Sequence, residues 1–196
     1  MKICVYGASS NDIDKKYIEA GENLGKEMAK RGHSLIFGGG ATGLMGAVAR
    51  GVKRENGYVL GITPSFFNVD GVLFEEADEM IYTKTMSERK SLLQGKSDAL
   101  IVTTGGFGTL DEFFEVVTLK QLSIHKKPIA ILNTNGYYNN LLKMMDTAIK
   151  EGFMTAKNKK LFFVSDNPSE VLDYIENYKS NGDTIYDYKN FKLNNK

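Results

Sequence analysis

Three short stretches carry the residue types and spacings that could do chemistry. The first, Leu35-Ile-Phe-Gly-Gly-Gly-Ala-Thr-Gly-Leu-Met-Gly46, holds Gly38, Gly39, Gly40 and Gly43 and contains the Gly-x-Gly-x-x-Gly spacing of dinucleotide sites. The second, Thr103-Thr-Gly-Gly-Phe-Gly-Thr-Leu-Asp-Glu112, holds Gly105, Gly106, Gly108, Thr109 and then a carboxylate, Glu112. Between them lies Met86-Ser-Glu-Arg-Lys90. Successive glycines let a backbone come close to an anion, and a helix that follows them presents N–H groups and the positive end of its dipole. A carboxylate beside such a loop can stabilise a developing cation or move a proton. An arginine near a helix start is opposed by the dipole, so a bound anion or a carboxylate is the expected partner of Arg89. Lys90, about 100° further round a helix, need not share that task.

A dinucleotide site places its glycine turn after the first strand and an acid at the end of the second. Here the first strand runs into Gly7-Ala-Ser-Ser-Asn11, and the glycine match comes one strand later. Tyr58-Val-Leu-Gly-Ile62 runs into Thr63-Pro64 with no acid in place. The Gly-Lys-Ser/Thr ending of an NTPase loop is also missing. An NAD oxidoreductase and an NTPase are therefore set aside. Two glycine loops at the carboxyl ends of neighbouring strands open onto one crevice and suit a ligand with a phosphate and a sugar. Thr109 reads as a helix N-cap; Glu112 reads either as its capping-box partner or as a carboxylate facing the pocket.

The elements that must position these residues follow from hydrophobic period. Short apolar runs at 2–6, 33–37, 58–62, 78–82, 98–103, 128–132 and 161–164 read as strands. Helical spacing at 15–31, 43–55, 86–96, 109–123, 137–150 and 168–178 reads as helices. Runs such as Ala99-Leu-Ile-Val102 lack polar alternation, as expected of strands covered on both faces. The fold class is α/β: one Rossmann-like, doubly wound, mainly parallel sheet with helices on both faces. It is expected over residues 1–179, followed by a loosely docked or frayed polar tail over residues 180–196. Pro128 before a strand and Pro168 at a helix start both sit where a missing N–H costs little.

Composition bounds the rest. The chain has 196 residues, 42% apolar and 25% charged, with 25 basic against 24 acidic side chains. That balance leaves no field drawing it to nucleic acid or membrane. The lone cysteine, Cys4, lies in an apolar run and reads as a buried strand residue. No signal-peptide core and no membrane-length apolar run occurs, so a cytoplasmic protein is expected. His33 and His125 have no metal-ligand spacing, and no metal or cofactor is expected. No Gly-x-Ser-x-Gly elbow suggests acyl transfer. The run Lys157-Asn-Lys-Lys160 reads as a solvated turn.

The set Gly38-Gly-Gly-x-x-Gly-Leu-Met-Gly46, Met86-x-x-Arg-Lys90 and Gly105-Gly-x-Gly-Thr-x-x-Glu112, in this order, resembles the LONELY GUY (LOG) family of cytokinin-activating phosphoribohydrolases. The resemblance extends from Val5-Tyr-Gly-Ala-Ser-Ser10 to Gly136-Tyr-Tyr-Asn139 and Glu151-Gly-Phe153. It implies a Rossmann-like homodimer that hydrolyses the N-glycosidic bond of a nucleoside 5′-monophosphate to free base and ribose 5-phosphate. It implies Arg89 and Glu112 as the catalytic pair. Gly105, Gly106, Gly108 and Thr109 would then stand at phosphate and ribose, with Gly38, Gly39, Gly40, Gly43, Leu44, Met45, Met86 and Lys90 around the substrate. Arg89 would hold the phosphate or purine, or stabilise charge on the leaving base; the sequence leaves these roles open. Thr104 stands where the family usually has proline, and Ser87 where many members have another polar residue. The older label of lysine decarboxylase fits poorly, because no lysine is marked for a Schiff base. The alternative reading is a carrier of the same fold that binds a nucleotide or pterin cofactor without hydrolysis.

Overall fold

The computed structural model describes residues 1–180 and 182–188. In chain order it comprises β1 (Lys2–Tyr6), α1 (Lys15–Lys30), β2 (Ser34–Phe37), α2 (Gly43–Arg54), β3 (Val59–Pro64), β4 (Glu79–Thr83) and α3 (Met86–Lys96). There follow β5 (Ala99–Val102), α4 (Phe107–Gln121), β6 (Ile129–Leu132), α5 (Asn139–Lys150), β7 (Phe163–Ser165), α6 (Pro168–Asn177) and α7 (Ile185–Tyr188). Every strand and helix expected from period is present, with ends displaced by two residues or fewer.

The seven strands form one parallel sheet in the order β4-β3-β2-β1-β5-β6-β7. The chain winds outward from β1 to one edge, returns to β5 on the other side of β1, and winds outward again. The reversal leaves a crevice at the carboxyl ends of β1 and β5, where α/β sheets of this kind bind ligands.

Strand residues alternate between two cores. Ile3, Val5, Leu35, Phe37, Ala99 and Ile101 meet Leu24 and Met28 of α1, Val48 and Val52 of α2 and Val171 and Ile175 of α6. Cys4, Tyr6, Ile36, Leu100, Val102 and Ile131 meet Leu93 of α3, Phe113 and Val116 of α4 and Met145 of α5. Both faces are therefore covered, which is why these runs carry no polar alternation. Cys4 is fully buried, and burial pushes its thiol up. On the first face α1 and α2 approach very closely. A Cβ at Gly25 would lie 2.1 Å from the Val48 carbonyl oxygen, and one at Gly51 2.2 Å from that of Glu22.

The tail expectation is corrected for residues 182–188. Tyr188 is buried in the second core and donates to Asp183 at 2.8 Å, while the Lys157 ammonium spans Asp183 at 2.9 Å and Asp187 at 2.8 Å. Apolar burial plus a three-member charge cluster docks a segment whose composition alone reads as loose. Residues 181 and 189–196 of that tail lie outside the described residues. The same contacts revise the reading of Lys157-Asn-Lys-Lys160. Lys157 is ion-paired, Lys159 pairs with Asp146, and buried Asn158 caps the turn through Thr155. Among the described residues no helix is long and apolar enough to cross a membrane.

Candidate active site

The loops after β1, β2, β3 and β5 line a cleft of about 560 Å³ at the sheet reversal. Its second glycine loop closes β5 and opens α4. α4 begins at Phe107 with Gly106 as N-cap, so the expected cap at Thr109 is corrected. Thr109 is the third residue of α4, within its first turn, and lies under Gly105, where a Cβ would be 2.1 Å from its hydroxyl. Glu112 is consequently no capping-box partner. It falls on the inner face of α4 with Thr109, Phe113, Val116 and Lys120, all buried, at the three- and four-residue spacing of one helix face.

On the facing side α3 starts at Met86, with Thr85 capping Glu88 N–H at 3.1 Å and Glu88 reaching back to Lys84 N–H at 2.9 Å. This fixes the first turn, and Arg89 projects inward from it. Its Nη1 donates to Glu112 Oε1 at 2.9 Å and its Nε to the Ile62 carbonyl at 3.3 Å. The side chains are 11% and 9% exposed, so the pair sits in a poorly hydrated pocket wall. The expected partner of an arginine at a helix start is thus a carboxylate carried by another helix. Burial raises the Glu112 carboxyl above its ordinary 4.5, and the charge and hydrogen bond of Arg89 oppose that shift.

The first glycine loop behaves differently from expectation. α2 follows it, but two of the first N–H groups of α2 are already satisfied: Gly43 donates to Asn11 Oδ1 at 2.9 Å and Met45 to the Ala8 carbonyl at 3.1 Å. Thr42 also donates its hydroxyl to the Ser9 carbonyl at 2.7 Å. That helix start fastens the β1 loop rather than offering a free anion cradle. Gly43 adopts φ +61°, and a Cβ there would press on Ala8–Ser10 backbone at 2.6 Å, so only glycine fits. The loop also zips onto the segment before β4, with Ala41 N–H on the Val72 carbonyl and Phe74 N–H on that of Gly39.

Of the residues singled out in the sequence, Gly38, Gly40, Met45, Met86, Arg89, Gly106, Gly108, Thr109 and Glu112 line the cleft. Gly39, Gly43, Leu44, Gly105 and Lys90 do not. Gly39 backs onto Met80 and Thr63, Leu44 is buried against Gly7 and Gly21, and the Gly105 carbonyl accepts from Tyr137 at 3.0 Å. Lys90 turns away to Asp111 at 2.9 Å and Glu115 at 2.6 Å, as its angular separation from Arg89 dictates, and those carboxylates raise its pKa. Sequence reasoning missed Gly7–Ser10, Thr42, Thr63, Phe67, Val72, Leu73 and Asp111, which also line the cleft. The β1 loop carried a usable signal, since the first strand of a doubly wound sheet is central. Phe67, Val72 and Leu73 gave none, because they sit in an aperiodic connection. His33 and His125 serve packing: His33 Nε2 meets Glu176 at 2.7 Å and His125 Nε2 the Val116 carbonyl at 3.0 Å.

A family model described as "Possible lysine decarboxylase" matches residues 45–175. Two proteins of Arabidopsis thaliana named cytokinin riboside 5′-monophosphate phosphoribohydrolase are each 37% identical over 184 residues, 94% of this chain and 85% and 81% of theirs. The chain belongs to this LOG family. Its fold also matches solved structures of a molybdenum cofactor binding protein from Rippkaea orientalis and a molybdenum cofactor carrier protein from Chlamydomonas reinhardtii. Both are 22% identical, with TM-scores of 0.69 and 0.68, and each match covers 89% of this chain and 94% and 95% of the solved one. At that identity the likeness concerns the fold alone. None of the described residues lining the LOG-family cleft is a lysine, so the cleft offers no amine for a decarboxylase Schiff base.

Proposed function

We propose that the protein hydrolyses the N-glycosidic bond of a cytokinin-type or plain adenine nucleoside 5′-monophosphate, releasing free base and ribose 5-phosphate. The observation that carries this reading is a buried carboxylate, Glu112, held at 2.9 Å by Arg89 beside a glycine loop and an unobstructed helix start. Cleaving the bond between ribose C1′ and the base nitrogen builds positive charge on the sugar ring. A carboxylate in a low-dielectric wall stabilises that charge and takes a proton from the attacking water. The base nitrogen receives a proton as it leaves. Arg89 keeps Glu112 in place, and its charge opposes the upward shift that burial imposes on the carboxyl.

The first N–H groups of α4, with Gly106, Gly108 and Thr109 lining the cleft, suit the phosphate. Met45, Met86, Phe67, Val72 and Leu73 form an apolar wall suited to the base and to an isoprenoid group on it. We take the working form to be a cytoplasmic homodimer. The outer face of α4 supports a second copy, since Phe107 is 93% exposed and Phe114, seven residues on, is also exposed. Sedimentation tests the dimer.

The test of function is product analysis with AMP, GMP, CMP and isopentenyl-AMP. Free base should appear from the adenine substrates, and Glu112→Gln, which keeps an acceptor for Arg89, should lower kcat by about 10²- to 10⁴-fold. Binding of AMP without base release at any pH, together with indifference to Glu112→Gln, would instead mark a carrier.

A further inference from the structure

Two adjacent tyrosines outside the cleft lining hold the backbone of the second glycine loop. β6 lies beside β5 in the sheet, with Val102 opposite Ile131, so the connection after β6 abuts the loop after β5. That connection turns through Asn135 and Gly136, at φ +56° and +67°, and throws Tyr137 and Tyr138 toward the loop. Asn133 fixes the turn: its Oδ1 accepts the Tyr138 N–H at 2.8 Å and its Nδ2 donates to Asn139 at 2.9 Å.

The buried Tyr138 hydroxyl donates to the Thr103 carbonyl at 2.9 Å. The Tyr137 hydroxyl donates to the Gly105 carbonyl at 3.0 Å. The peptide planes that follow Thr103 and Gly105 are thereby fixed. The Ala8 N–H holds the Thr104 carbonyl at 3.1 Å, and the Leu110 N–H closes the first helical bond on Gly106. The start of α4 adds the N–H groups of Gly106, Phe107, Gly108 and Thr109, which a helix leaves without an intrahelical partner. Their direction depends on the loop that precedes them.

We propose that Tyr137 and Tyr138 are positioning residues that aim the N-terminus of α4 at the phosphate of the substrate, through the Thr103 and Gly105 backbone rather than by touching the ligand. The inference rests on the hydrolase reading for its substrate, but its consequence is a binding consequence. Freed of the hydroxyls, the peptides after Thr103 and Gly105 can rotate and the anion cradle loses its preset geometry. The chemistry at Glu112, anchored by Arg89 from the opposite wall, is left in place.

The experiment compares wild type, Tyr138→Phe and Tyr137→Phe in full-length protein by calorimetric titration with ribose 5-phosphate and with adenine, and by steady-state base release from AMP. Tyr138→Phe is expected to weaken ribose 5-phosphate binding and raise KM for AMP by about tenfold. It should leave adenine binding unchanged and kcat within about twofold. Tyr137→Phe, at a half-exposed position, keeps the ring packing and should show the same pattern at smaller size. It remains informative where Tyr138→Phe does not fold. Unchanged ribose 5-phosphate affinity in a folded variant overturns the proposal, as does a loss shared equally by adenine, ribose 5-phosphate and kcat. A wild type that binds ribose 5-phosphate but releases no base overturns the hydrolase reading instead, while the binding comparison still decides the role of the tyrosines.

Discussion

Gly38→Ala separates the geometry of the Arg89–Glu112 pair from the stability of the fold. A Cβ at Gly38 would stand 2.2 Å from Arg89 Nη2 and 2.9 Å from the Met45 sulfur. Gly38 is not in the left-handed region, so the backbone itself accepts alanine. To open 2.2 Å to the 3.4 Å of ordinary contact, the guanidinium must retreat by about 1.2 Å. Arg89 and Met45 offer the ends of flexible side chains, so they yield before the sheet does. That retreat carries the 2.9 Å bond to Glu112 beyond hydrogen-bonding reach. Misplacing a catalytic group by about 1 Å costs on the order of 10²-fold in rate, or about 2.7 kcal/mol of transition-state stabilisation. The fold should lose less than about 1 kcal/mol. The assay is kcat/KM for base release together with thermal unfolding. Gly95→Ala, at an exposed helix position with nothing within 4 Å, is the control and should leave activity unchanged. A Gly38→Ala protein with kcat/KM within threefold of wild type refutes the reasoning. So does a loss of several kcal/mol of stability with full activity, which would mean that the backbone moved and not Arg89.

Three further outcomes are expected. Burial holds the Glu112 carboxyl above 4.5, and the proposed role needs its ionised form, so kcat/KM should fall as pH drops through a value above 4.5; a pH–rate profile flat down to pH 4 would contradict that role. Lys120 is buried with no hydrogen-bond partner for its ammonium among the described residues, only the Tyr178 ring at 4.6 Å, and burial pushes its pKa down to about 8. The unfolded chain binds the extra proton between about pH 8 and 10.5, so this group penalises the fold below pH 8 and the penalty fades as pH rises through that window. Lys120→Met should therefore stabilise the protein at pH 7 by on the order of 1 kcal/mol, with the gain shrinking toward pH 10 in denaturant titrations. Gly25→Ala drives a methyl onto the Val48 carbonyl, which is backbone and cannot step aside, so chemical denaturation should show a loss of about 1–3 kcal/mol; a neutral or stabilising alanine there would show that α1 and α2 separate freely.

The local pattern of the chain determined its elements. Short apolar runs and period-3.6 hydrophobicity, with Pro128 and Pro168 at element starts, located seven strands and six helices, and the lack of polar alternation in those runs required a sheet covered on both faces. It also marked both glycine loops and left Arg89 in want of a bound anion or a carboxylate, because a helix dipole acts within one turn of sequence. Which carboxylate answered could not be local. Glu112 is 23 positions away on another helix and reaches Arg89 only because β5 returns beside β1. The same return spends the N–H groups of α2 on Asn11 and Ala8, and so leaves the first loop, which bore the better-known spacing, a fastener of the cleft. Lys90, one residue from Arg89, was drawn off by Asp111 and Glu115, and Phe67 and Leu73 joined the cleft from a connection without period. Sequence spacing fixes directions around a helix or strand; partners across the sheet are set by the order in which strands assemble, and that order decided which of the marked residues face one another.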